Sequence, residues 1–499
     1  MKLIYLKNFR KGFATNSSST HSVIYKNKED MFKDLNIFEL DYYDRFDSTI
    51  AATREAKIKY VAANIWGHPH LWDIMRSIYP QMNEYLPLIK AEMENMKEHK
   101  WDSENKFGMY TRGNLYFRGV ENIAASVDYL RNIIDDEDII IVGGSDEYDF
   151  VYDTCADHIG LNSPSDVKRK CGVVKNGNYW VARDYFSGDR IRFTQKPDEC
   201  IPQYPELIDI KITNRCEHNC PFCYMGSNMN GKDASIDEIK FLINSLSSND
   251  YSYYKRRIEF AIGGGNILLY PHLEKLFTII KDHGHVINTT INVKDVKKIC
   301  ESEELKHIFN TFVSGIGISI SNENDVQLLE LYNIKDTLKN CKFMLHLIPE
   351  MLGVKQTINI CSKANSLGYY GTLFLGYKEN NRGASCKHKL LSYDDLCKIF
   401  DKTSCISVDT TFANRYKSFI ENNFHTYHTI TFNEGEYSMY IDAVEMKGYK
   451  SSYQLDKPYN LRSLGYENKD VSWFTVESAF GKIRQDNGFK QYEKEDYTW

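Results

Sequence analysis

Hydrophobic and polar residues follow two alternating periods between residues 205 and 376. The segment PELIDIKIT predicts a strand, IDEIKFLINSL predicts an amphipathic helix, and IEFAIGGG predicts a second strand that ends in three glycines. The same order recurs through four further predicted strands, HVINTTI, TFVSGIGISI, KFMLHLI and YGTLFLGY. Six β-then-α units in succession predict a parallel sheet with helical crossovers, either doubly wound or curled into a partial barrel. In both folds, ligands bind at the carboxyl ends of the strands.

The flanking segments lack this rhythm and predict two further domains. Residues 1–195 contain helical patterns, a short buried strand in EDIIIVGGSDEY, and three β-rich runs separated by Asn176-Gly177 and Ser187-Gly188, which predict a three-stranded meander. Residues 200–390 form the α/β core. Residues 391–499 predict a short helix capped by Ser392, a pair of strands and a closing helix. We therefore expect an N-terminal α+β domain, an α/β core and a small C-terminal α/β cap.

The composition is that of an ordinary globular protein, and it narrows the classes of partner. Charged residues make up 26% of the 499 positions and the net charge is −6, so no global attraction to nucleic acid is expected, although nucleic acid is not excluded. The segment MKLIYLKNFRKGF interrupts its apolar residues with basic ones before a secretion signal can form, and no apolar run is long enough to span a bilayer. We expect a cytoplasmic protein with no membrane partner.

Three of the 12 cysteines are clustered directly after the first predicted strand of the core. Cys216, Cys220 and Cys223 follow the spacing C-x-x-x-C-x-x-C, and in a reducing compartment such close spacing indicates a metal site or catalysis more often than disulfides. A cluster of four irons held by three thiolates leaves one iron open for a substrate or cofactor. The alternative is a zinc ion with His218 as its fourth ligand, although zinc would account for neither the βα units nor the glycine turn.

This constellation resembles the radical S-adenosylmethionine (radical SAM) superfamily. The resemblance rests on the three cysteines, with Phe222 as the aromatic residue before the last of them, on the glycine turn after the second strand, and on the six βα units. It implies a partial (β/α)6 TIM-like barrel, in which Cys216, Cys220 and Cys223 hold a [4Fe–4S] cluster whose open iron chelates SAM. Reductive cleavage of SAM would give a 5′-deoxyadenosyl radical that abstracts hydrogen from a substrate. The family expectation for the reductant is a flavodoxin or ferredoxin.

The resemblance also assigns residues to SAM. The methionine amino group would bind backbone carbonyls of the glycine turn, where glycine permits a close approach: Gly263, Gly264 and Gly265. Asn266 follows, at a position where many relatives carry glutamate. Phe222 and Tyr224 would flank the adenine. Contacts with the ribose or carboxylate would come from residues at the ends of the third and fourth strands: Thr290, Asn292 and Ser319.

The C-terminal segment GEYSMYIDAVEMKGYKSSY resembles the SPASM or twitch extension of radical SAM enzymes that mature peptides and proteins. Such extensions carry cysteines for auxiliary clusters, and here those places are occupied by Asn433-Glu434-Gly435 and Lys450-Ser451-Ser452. The resemblance implies a degenerate, cluster-free cap and a peptide or protein substrate, with the N-terminal domain helping recognition. Two alternatives stay open at this point: modification of a nucleotide or nucleic acid, and a metal-stabilised binding protein without turnover.

Two further features have no assigned role. The polar tract ATNSSSTHS (14–22) could line a substrate site through its hydroxyls, Asn16 and His21, or form a turn-rich cap that hydrogen-bonds its own backbone. Three scattered cysteines could in principle bind a second cluster: Cys386, Cys397 and Cys405. Their spacing matches no cluster pattern, so we interpret them as ordinary buried or surface thiols.

Overall fold

The computed structural model describes most of the chain. The described residues are 2–14, 21–36, 50–65, 69–97, 123–142, 171–184, 187–194, 197–246, 257–369, 371–403, 406–462 and 475–493. Most of the polar tract at 14–22 lies outside these ranges, as do Cys405 and the end of the strand predicted in EDIIIVGGSDEY. The roles proposed for the tract and for Cys405 therefore stay predictions.

An antiparallel sheet with helices beside it makes up the N-terminal part. Its elements are, in chain order, β1 (Lys2–Arg10), β2 (His21–Val23), α1 (Lys28–Asn36), β3 (Ile50–Ala51), α2 (Arg54–Ile65), α3 (Pro69–Ile78), α4 (Met82–Lys97), α5 (Ile123–Asp135), β4 (Ile139–Val142), β5 (Cys171–Asn176), β6 (Tyr179–Asp184) and β7 (Arg190–Thr194). Within the described residues the sheet has six strands in the order β3-β4-β1-β7-β6-β5. The strands β5, β6 and β7 form the predicted antiparallel meander. The strand β2 joins the second sheet instead.

A second, larger sheet forms the core. Its elements and helices are β8 (Leu207–Thr213), α6 (Ile236–Leu246), β9 (Glu259–Gly264), α7 (Leu273–Asp282), β10 (Val286–Asn292), α8 (Val296–Glu301), α9 (Glu303–Phe312), β11 (Val313–Ser319), α10 (Val326–Tyr332), α11 (Ile334–Thr337), β12 (Lys342–Leu347), α12 (Pro349–Ser366), β13 (Gly371–Phe374), α13 (Tyr393–Lys402), β14 (Ile406–Asp409), α14 (Thr410–Arg415), α15 (Lys417–Asn423), β15 (Ser438–Asp442), β16 (Lys447–Tyr449), β17 (Tyr459–Asn460) and α16 (Thr475–Asp486). Across the described ranges, none of the helices is both long and apolar enough to cross a bilayer.

The strand order of the large sheet follows the chain. In the described part of the protein the order is β17-β16-β15-β8-β9-β10-β11-β12-β13-β14-β2, and every pair from β15 to β14 is parallel. The six predicted strands are β8 to β13, and β15 and β14 extend the parallel run by one strand at each side. The order from β8 to β14 never reverses. It therefore lacks the topological switch point of a doubly wound sheet.

The two faces of the parallel strands differ in polarity. On β8, Ile208, Ile210 and Ile212 belong to the main hydrophobic core. Asp209 and Lys211 alternate with them and therefore lie on the other, inner face. Neighbouring strands also place polar or small residues on the inner face: Glu259 and Ala261 on β9, Asn288 and Thr290 on β10, Gly315, Gly317 and Ser319 on β11, and Asp409 on β14. A parallel sheet covered on both faces is normally apolar throughout, so this polar inner face is a candidate ligand surface.

Two buried carboxylates join the N-terminal sheet to the parallel strands. Glu206, just before β8, pairs with Arg190 at 2.6 Å and with Arg192 at 2.8 Å, both on β7. Glu259, the first residue of β9, pairs with Arg10 of β1 at 2.6 Å. Burial alone would raise the pKa of Glu206, but the two arginines hold it at about 2. The N-terminal sheet therefore covers the amino ends of these strands, opposite to the end where β8 runs into the cysteines.

Candidate functional site

A cavity of about 190 Å³ lies at the carboxyl ends of the parallel strands. Its wall is formed by the loop after β8, the glycine turn of β9 and the ends of β10 to β13. All the residues that the sequence assigns to the cluster or to SAM line this cavity: Cys216, Cys220, Phe222, Cys223, Tyr224, Gly263, Gly264, Gly265, Thr290, Asn292 and Ser319. The fold thus brings residues from four separate strand ends to one place.

Backbone hydrogen bonds fix the cysteine loop as a series of turns. The N–H of Cys216 donates to the carbonyl of Asn228 at 3.1 Å, and the N–H of Cys223 donates to the carbonyl of Cys220 at 3.2 Å. Asn219 has a φ of 46°, a left-handed conformation that asparagine tolerates better than most residues. Because the loop is closed upon itself, it presents its thiols to the cavity from a fixed backbone.

The spacing of the thiols argues against a single zinc ion. Thiolates on one tetrahedral ion, with bonds of about 2.3 Å, lie about 3.8 Å apart. The three cysteines lie within the described ranges, and at least one pair of their sulfur atoms is more than 4.8 Å apart. His218 is also engaged elsewhere: its Nε2 lies 2.7 Å from Asp295 Oδ2, and this hydrogen bond raises the pKa of His218. Burial raises the pKa of the Cys216 and Cys220 thiols, a shift that a bound metal would oppose.

Two glycines of the turn are required by the cysteine loop itself. Gly264 has a φ of 120°, and a Cβ on it would lie 2.4 Å from the carbonyl oxygen of Thr213. A Cβ on Gly265 would lie 2.1 Å from the carbonyl oxygen of Arg215. The N–H of Gly265 donates to the Thr213 carbonyl, and the N–H of Asn266 donates to the Arg215 carbonyl, each at 2.7 Å. The close approach expected from the sequence is therefore made to this chain's own backbone, and a side chain here would displace the start of the loop.

Asn266 is the centre of a polar network beside the turn. Its Nδ2 donates to Glu217 Oε1 and to Asp295 Oδ1, each at 3.1 Å, and its Oδ1 accepts the N–H of Leu268 at 3.0 Å. Glu217, His218 and Asp295 bring their ligand atoms within 4.8 Å of one another. The N–H donors of Asn266 point at the carboxylates of Glu217 and Asp295, where they would repel a metal ion. The amide therefore takes the place of a metal ion as the partner of both carboxylates. A carboxylate is still present on the cavity wall, on Asp295, although an amide follows the glycines.

Thr290, Asn292 and Ser319 differ in whether their side chains already make hydrogen bonds within the protein. Thr290 Oγ1 is buried and has no hydrogen-bond partner within the described residues, which leaves it open to a ligand. Asn292 accepts the N–H of Lys294 at 3.0 Å, and its Nδ2 lies 4.0 Å from Cys220 Sγ. Ser319 ends β11 on the inner face. Thr290 is therefore suited to contact a ligand, whereas Asn292 contacts the cysteine.

Two basic residues that the sequence does not single out lie against the cysteine loop. Lys378, after β13, places its Nζ 4.9 Å from the ring centroid of Tyr224 and 5.0 Å from that of Tyr453. Arg382 donates from Nε to the carbonyl of Cys220 at 3.0 Å. Both residues follow a strand in a segment without periodicity, so hydrophobic pattern could not have identified them. Position alone, at the carboxyl end of a predicted strand, was the available signal.

The segment after β16 contacts the cysteine loop. Tyr224 Oη lies 3.1 Å from Ser452 Oγ, within hydrogen-bond distance. Glu434 accepts a hydrogen bond from Thr410 Oγ1, and Ser451 is fully buried. Polar side chains thus occupy both segments, Asn433-Glu434-Gly435 and Lys450-Ser451-Ser452.

Cys386 and Cys397 are free thiols that do not form a metal-binding group with other described residues. Each is half-buried, and neither belongs to a group of three close metal-ligating side chains among those residues. Cys386 Sγ lies 3.9 Å from the carbonyl oxygen of Lys387.

No family model and no curated protein matches the chain. Solved structures of similar fold do match it. SuiB of Streptococcus suis bound to the precursor peptide SuiA is 11% identical, with a TM-score of 0.40, over 57% of this chain and 67% of that one. SuiB bound to S-adenosylmethionine is 12% identical, with a TM-score of 0.38, over 57% and 68%. SuiB alone is 12% identical, with a TM-score of 0.39, over 95% and 90%. At these values the likeness assigns no function to this chain.

Proposed function

We propose that the protein is a radical SAM enzyme that reductively cleaves SAM at a [4Fe–4S] cluster and abstracts hydrogen from a peptide or protein substrate. The observation that carries the proposal is the cavity wall, which combines three thiols with a glycine turn and the inner-face residues of the following strands. A structural zinc site would need neither the turn nor those strand ends. A purely structural site would also have no use for an adjoining cavity.

The residues around the thiols fit a cluster with an open iron. The loop is fixed by its own turns, and at least one pair of its three sulfur atoms is more than 4.8 Å apart. Cys216, Cys220 and Cys223 would hold the cluster, which when reduced supplies the electron that cleaves the sulfonium of SAM. The carbonyls of the glycine turn would accept hydrogen bonds from the methionine ammonium, and the unpaired Thr290 hydroxyl would bind the ribose or carboxylate. The proposed reductant is a flavodoxin or ferredoxin.

A curled sheet accounts for the contact between its two ends. The outermost parallel strands, β14 and β15, are separated by seven interstrand spacings of about 4.8 Å, or roughly 34 Å in a flat sheet. Thr410, directly after β14, nevertheless donates a hydrogen bond to Glu434, shortly before β15. The cavity is likewise lined from the β8 loop to the end of β13. These contacts support a partial (β/α)6 barrel whose polar inner face surrounds the cavity.

The proposed substrate class rests on the C-terminal cap. The strands β15 and β16 form an antiparallel hairpin and α16 follows them, the order of elements that the resemblance to peptide maturases leads us to expect. The hairpin joins the large sheet directly beside β8, the strand that leads into the cysteines. Its outgoing segment contacts the cysteine loop through Ser452 and Tyr224. A cap in this position is placed to guide a chain segment toward the cavity, which supports a peptide or protein substrate.

Anaerobic reconstitution tests the proposal. We expect about four irons per chain, the absorbance of a [4Fe–4S] cluster, and release of 5′-deoxyadenosine when SAM and a reductant are added. Cys220→Ala should fold but release none, whereas the matched control Cys300→Ala, outside the cavity, should cleave SAM as the wild type does. Binding of zinc in place of iron without SAM cleavage, or full cleavage by Cys220→Ala, would refute the assignment.

A further inference from the structure

Asp209 is a buried carboxyl group that has no hydrogen-bond partner among the described residues. It lies in the middle of β8 on the inner face, with Tyr440 and Ala261 beside it in register on the neighbouring strands. Its exposure is 0%, and neither of its oxygens has a hydrogen-bond partner in the described part of the chain. Burial raises its pKa to about 8. Such a group costs stability in the free protein, and unpaired buried polar groups of this kind call for a ligand or a functional explanation.

The surroundings of Asp209 carry an excess of acid. Lys378 Nζ lies 3.4 Å from Asp409 Oδ2, and the charges of Lys378 and Glu434 both act on Asp209. All four side chains are less than a tenth exposed. Asp409 and Glu434 accept hydrogen bonds, from the Phe412 N–H and from a threonine hydroxyl respectively. Three acids therefore face one described lysine, and of the three only Asp209 lacks a hydrogen bond.

This acid group adjoins the cavity that holds the cysteines. Lys378 and Tyr224 belong to the cavity wall. Tyr440, the neighbour of Asp209 in register on β15, places its Oη 3.9 Å from Sδ of Met225, which also lines the cavity. Asp209 is fully buried and is not itself part of the cavity lining, so a substrate side chain would reach it only from behind the lining residues Tyr224, Met225 and Lys378.

We propose that Asp209 is the binding point for a cationic side chain of the substrate, an ammonium or guanidinium group such as that of lysine or arginine. The inference rests on the proposed function, because it places the substrate in the cavity that would hold the cluster. A cation supplies both missing elements, N–H donors for two unpaired oxygens and a positive charge against the surplus of acid. An apolar side chain would give Asp209 no hydrogen-bond donor and would leave the excess of negative charge unchanged. An anionic side chain would increase that excess.

Two probes that differ in an ammonium group test the inference. Nα-acetyl-lysine N-methylamide and Nα-acetyl-norleucine N-methylamide are titrated, by ligand-observed NMR, into the reconstituted protein with SAM and without reductant. We expect the lysine probe to bind about tenfold more tightly to the wild type, and the ratio to fall below about threefold in Asp209→Asn. Equal affinities in the wild type, or an unchanged ratio in Asp209→Asn, would overturn the inference.

Two further variants keep the test independent of folding defects. Asp209→Leu keeps the branched shape, replaces both oxygens with larger methyl groups, and should reverse the preference toward the norleucine probe. Asp325→Asn alters a buried acid at the start of α10 that lies outside the cavity lining and accepts a hydrogen bond from the N–H of Ser321 at its edge; the asparagine oxygen can accept the same bond, so this variant should keep the wild-type ratio. SAM cleavage is measured on the same preparations. Cleavage without discrimination between the probes would refute this inference alone, whereas discrimination without cleavage would refute the proposed function alone.

Discussion

Arg382 bridges the two sides of Cys223 in the cysteine loop: its Nε donates to the carbonyl of Cys220 at 3.0 Å, and its Nη2 donates to the carbonyl of Ser227 at 2.9 Å. One planar guanidinium thus ties two points of the loop, which the single ammonium of lysine cannot do with the same geometry. We predict that Arg382→Ala makes the reconstituted cluster about tenfold more labile, a loss of about 1.4 kcal/mol, with Arg382→Lys in between. The measurement is the rate at which a chelator bleaches the cluster absorbance without oxygen.

A surface arginine provides the matched control for this experiment. Arg462 pairs with Glu238 at 2.8 Å and is half exposed, away from the loop. Arg462→Ala should bleach at the wild-type rate. If the cluster of Arg382→Ala bleached at that same rate, the loop would hold its geometry without the two hydrogen bonds from Arg382.

Gly265→Ala tests the contact between the glycine turn and the cysteine loop. The new Cβ would lie 2.1 Å from the Arg215 carbonyl oxygen, so the loop must move, and we predict a loss of about 1–3 kcal/mol in the free energy of unfolding by urea. Gly481→Ala is the control, because Gly481 lies within α16 and the nearest atom to its added Cβ is 3.7 Å away. This control should retain its stability or gain up to about 1 kcal/mol. Equal stabilities of the two variants would contradict the close contact.

Asn266→Asp tests whether the amide is needed between two acids. The change removes the donors to Glu217 and Asp295 and adds a third carboxylate beside them. We predict a loss of about 2–3 kcal/mol in the free energy of unfolding near pH 8, and a smaller loss near pH 5, where carboxylates under mutual repulsion take up protons. Urea unfolding of wild type and variant at both pH values measures this. A penalty that does not change with pH would mean that repulsion is not its cause.

The six central strands could be predicted because each has a run of apolar residues that ends in a turn or a helix start. The strand β14 was not predicted, since Ile406–Asp409 is four residues long and carries no clear period. The hairpin of β15 and β16 was predicted, but its parallel pairing with β8 was not, because a hairpin pattern identifies one neighbour only. Long-range pairing of this kind depends on the whole core and leaves no local signal.

Some residues of the site can likewise be predicted from the sequence, and others cannot. Spacing predicts the three cysteines, and position predicts the glycine turn and Thr290, all of which line the cavity. Asp209 carries a local signal as well: in LIDIKIT the charged residues alternate with isoleucines, a period of two that indicates a polar inner face. Arg382 and Lys378 act from loops, where side-chain direction is set by tertiary contacts that a single sequence does not encode in any period.

Glu206→Gln tests how the N-terminal sheet is attached. The change leaves Arg190 and Arg192 buried without their charged partner, and we predict a loss of about 3–5 kcal/mol in the free energy of unfolding at neutral pH. Because the pKa of Glu206 is about 2 in the folded protein and about 4.3 when unfolded, its contribution is complete above about pH 4.3 and disappears as the pH falls toward 2. The stability difference between wild type and variant, measured by denaturant unfolding, should narrow over that interval.

An exposed acid gives the control for Glu206. Glu303 pairs with Lys306 at 2.7 Å, but its side chain is 88% exposed. Glu303→Gln should change the free energy of unfolding by less than about 0.5 kcal/mol. If Glu206→Gln behaved in the same way, the buried ion pairs would not be what attaches the N-terminal sheet.

Asp209→Asn makes a prediction about stability that needs neither cluster nor substrate. The pKa of Asp209 is about 8 in the folded protein and about 3.9 when unfolded, so the folded state holds a proton that the unfolded state releases. Asp209 therefore costs the wild type stability progressively from about pH 4 to about pH 8, and the asparagine variant should become the more stable of the two across that interval. Urea unfolding of both proteins in steps across this range measures the difference. Parallel stability curves would mean that Asp209 already has a partner, and the reason for a cationic ligand would then disappear.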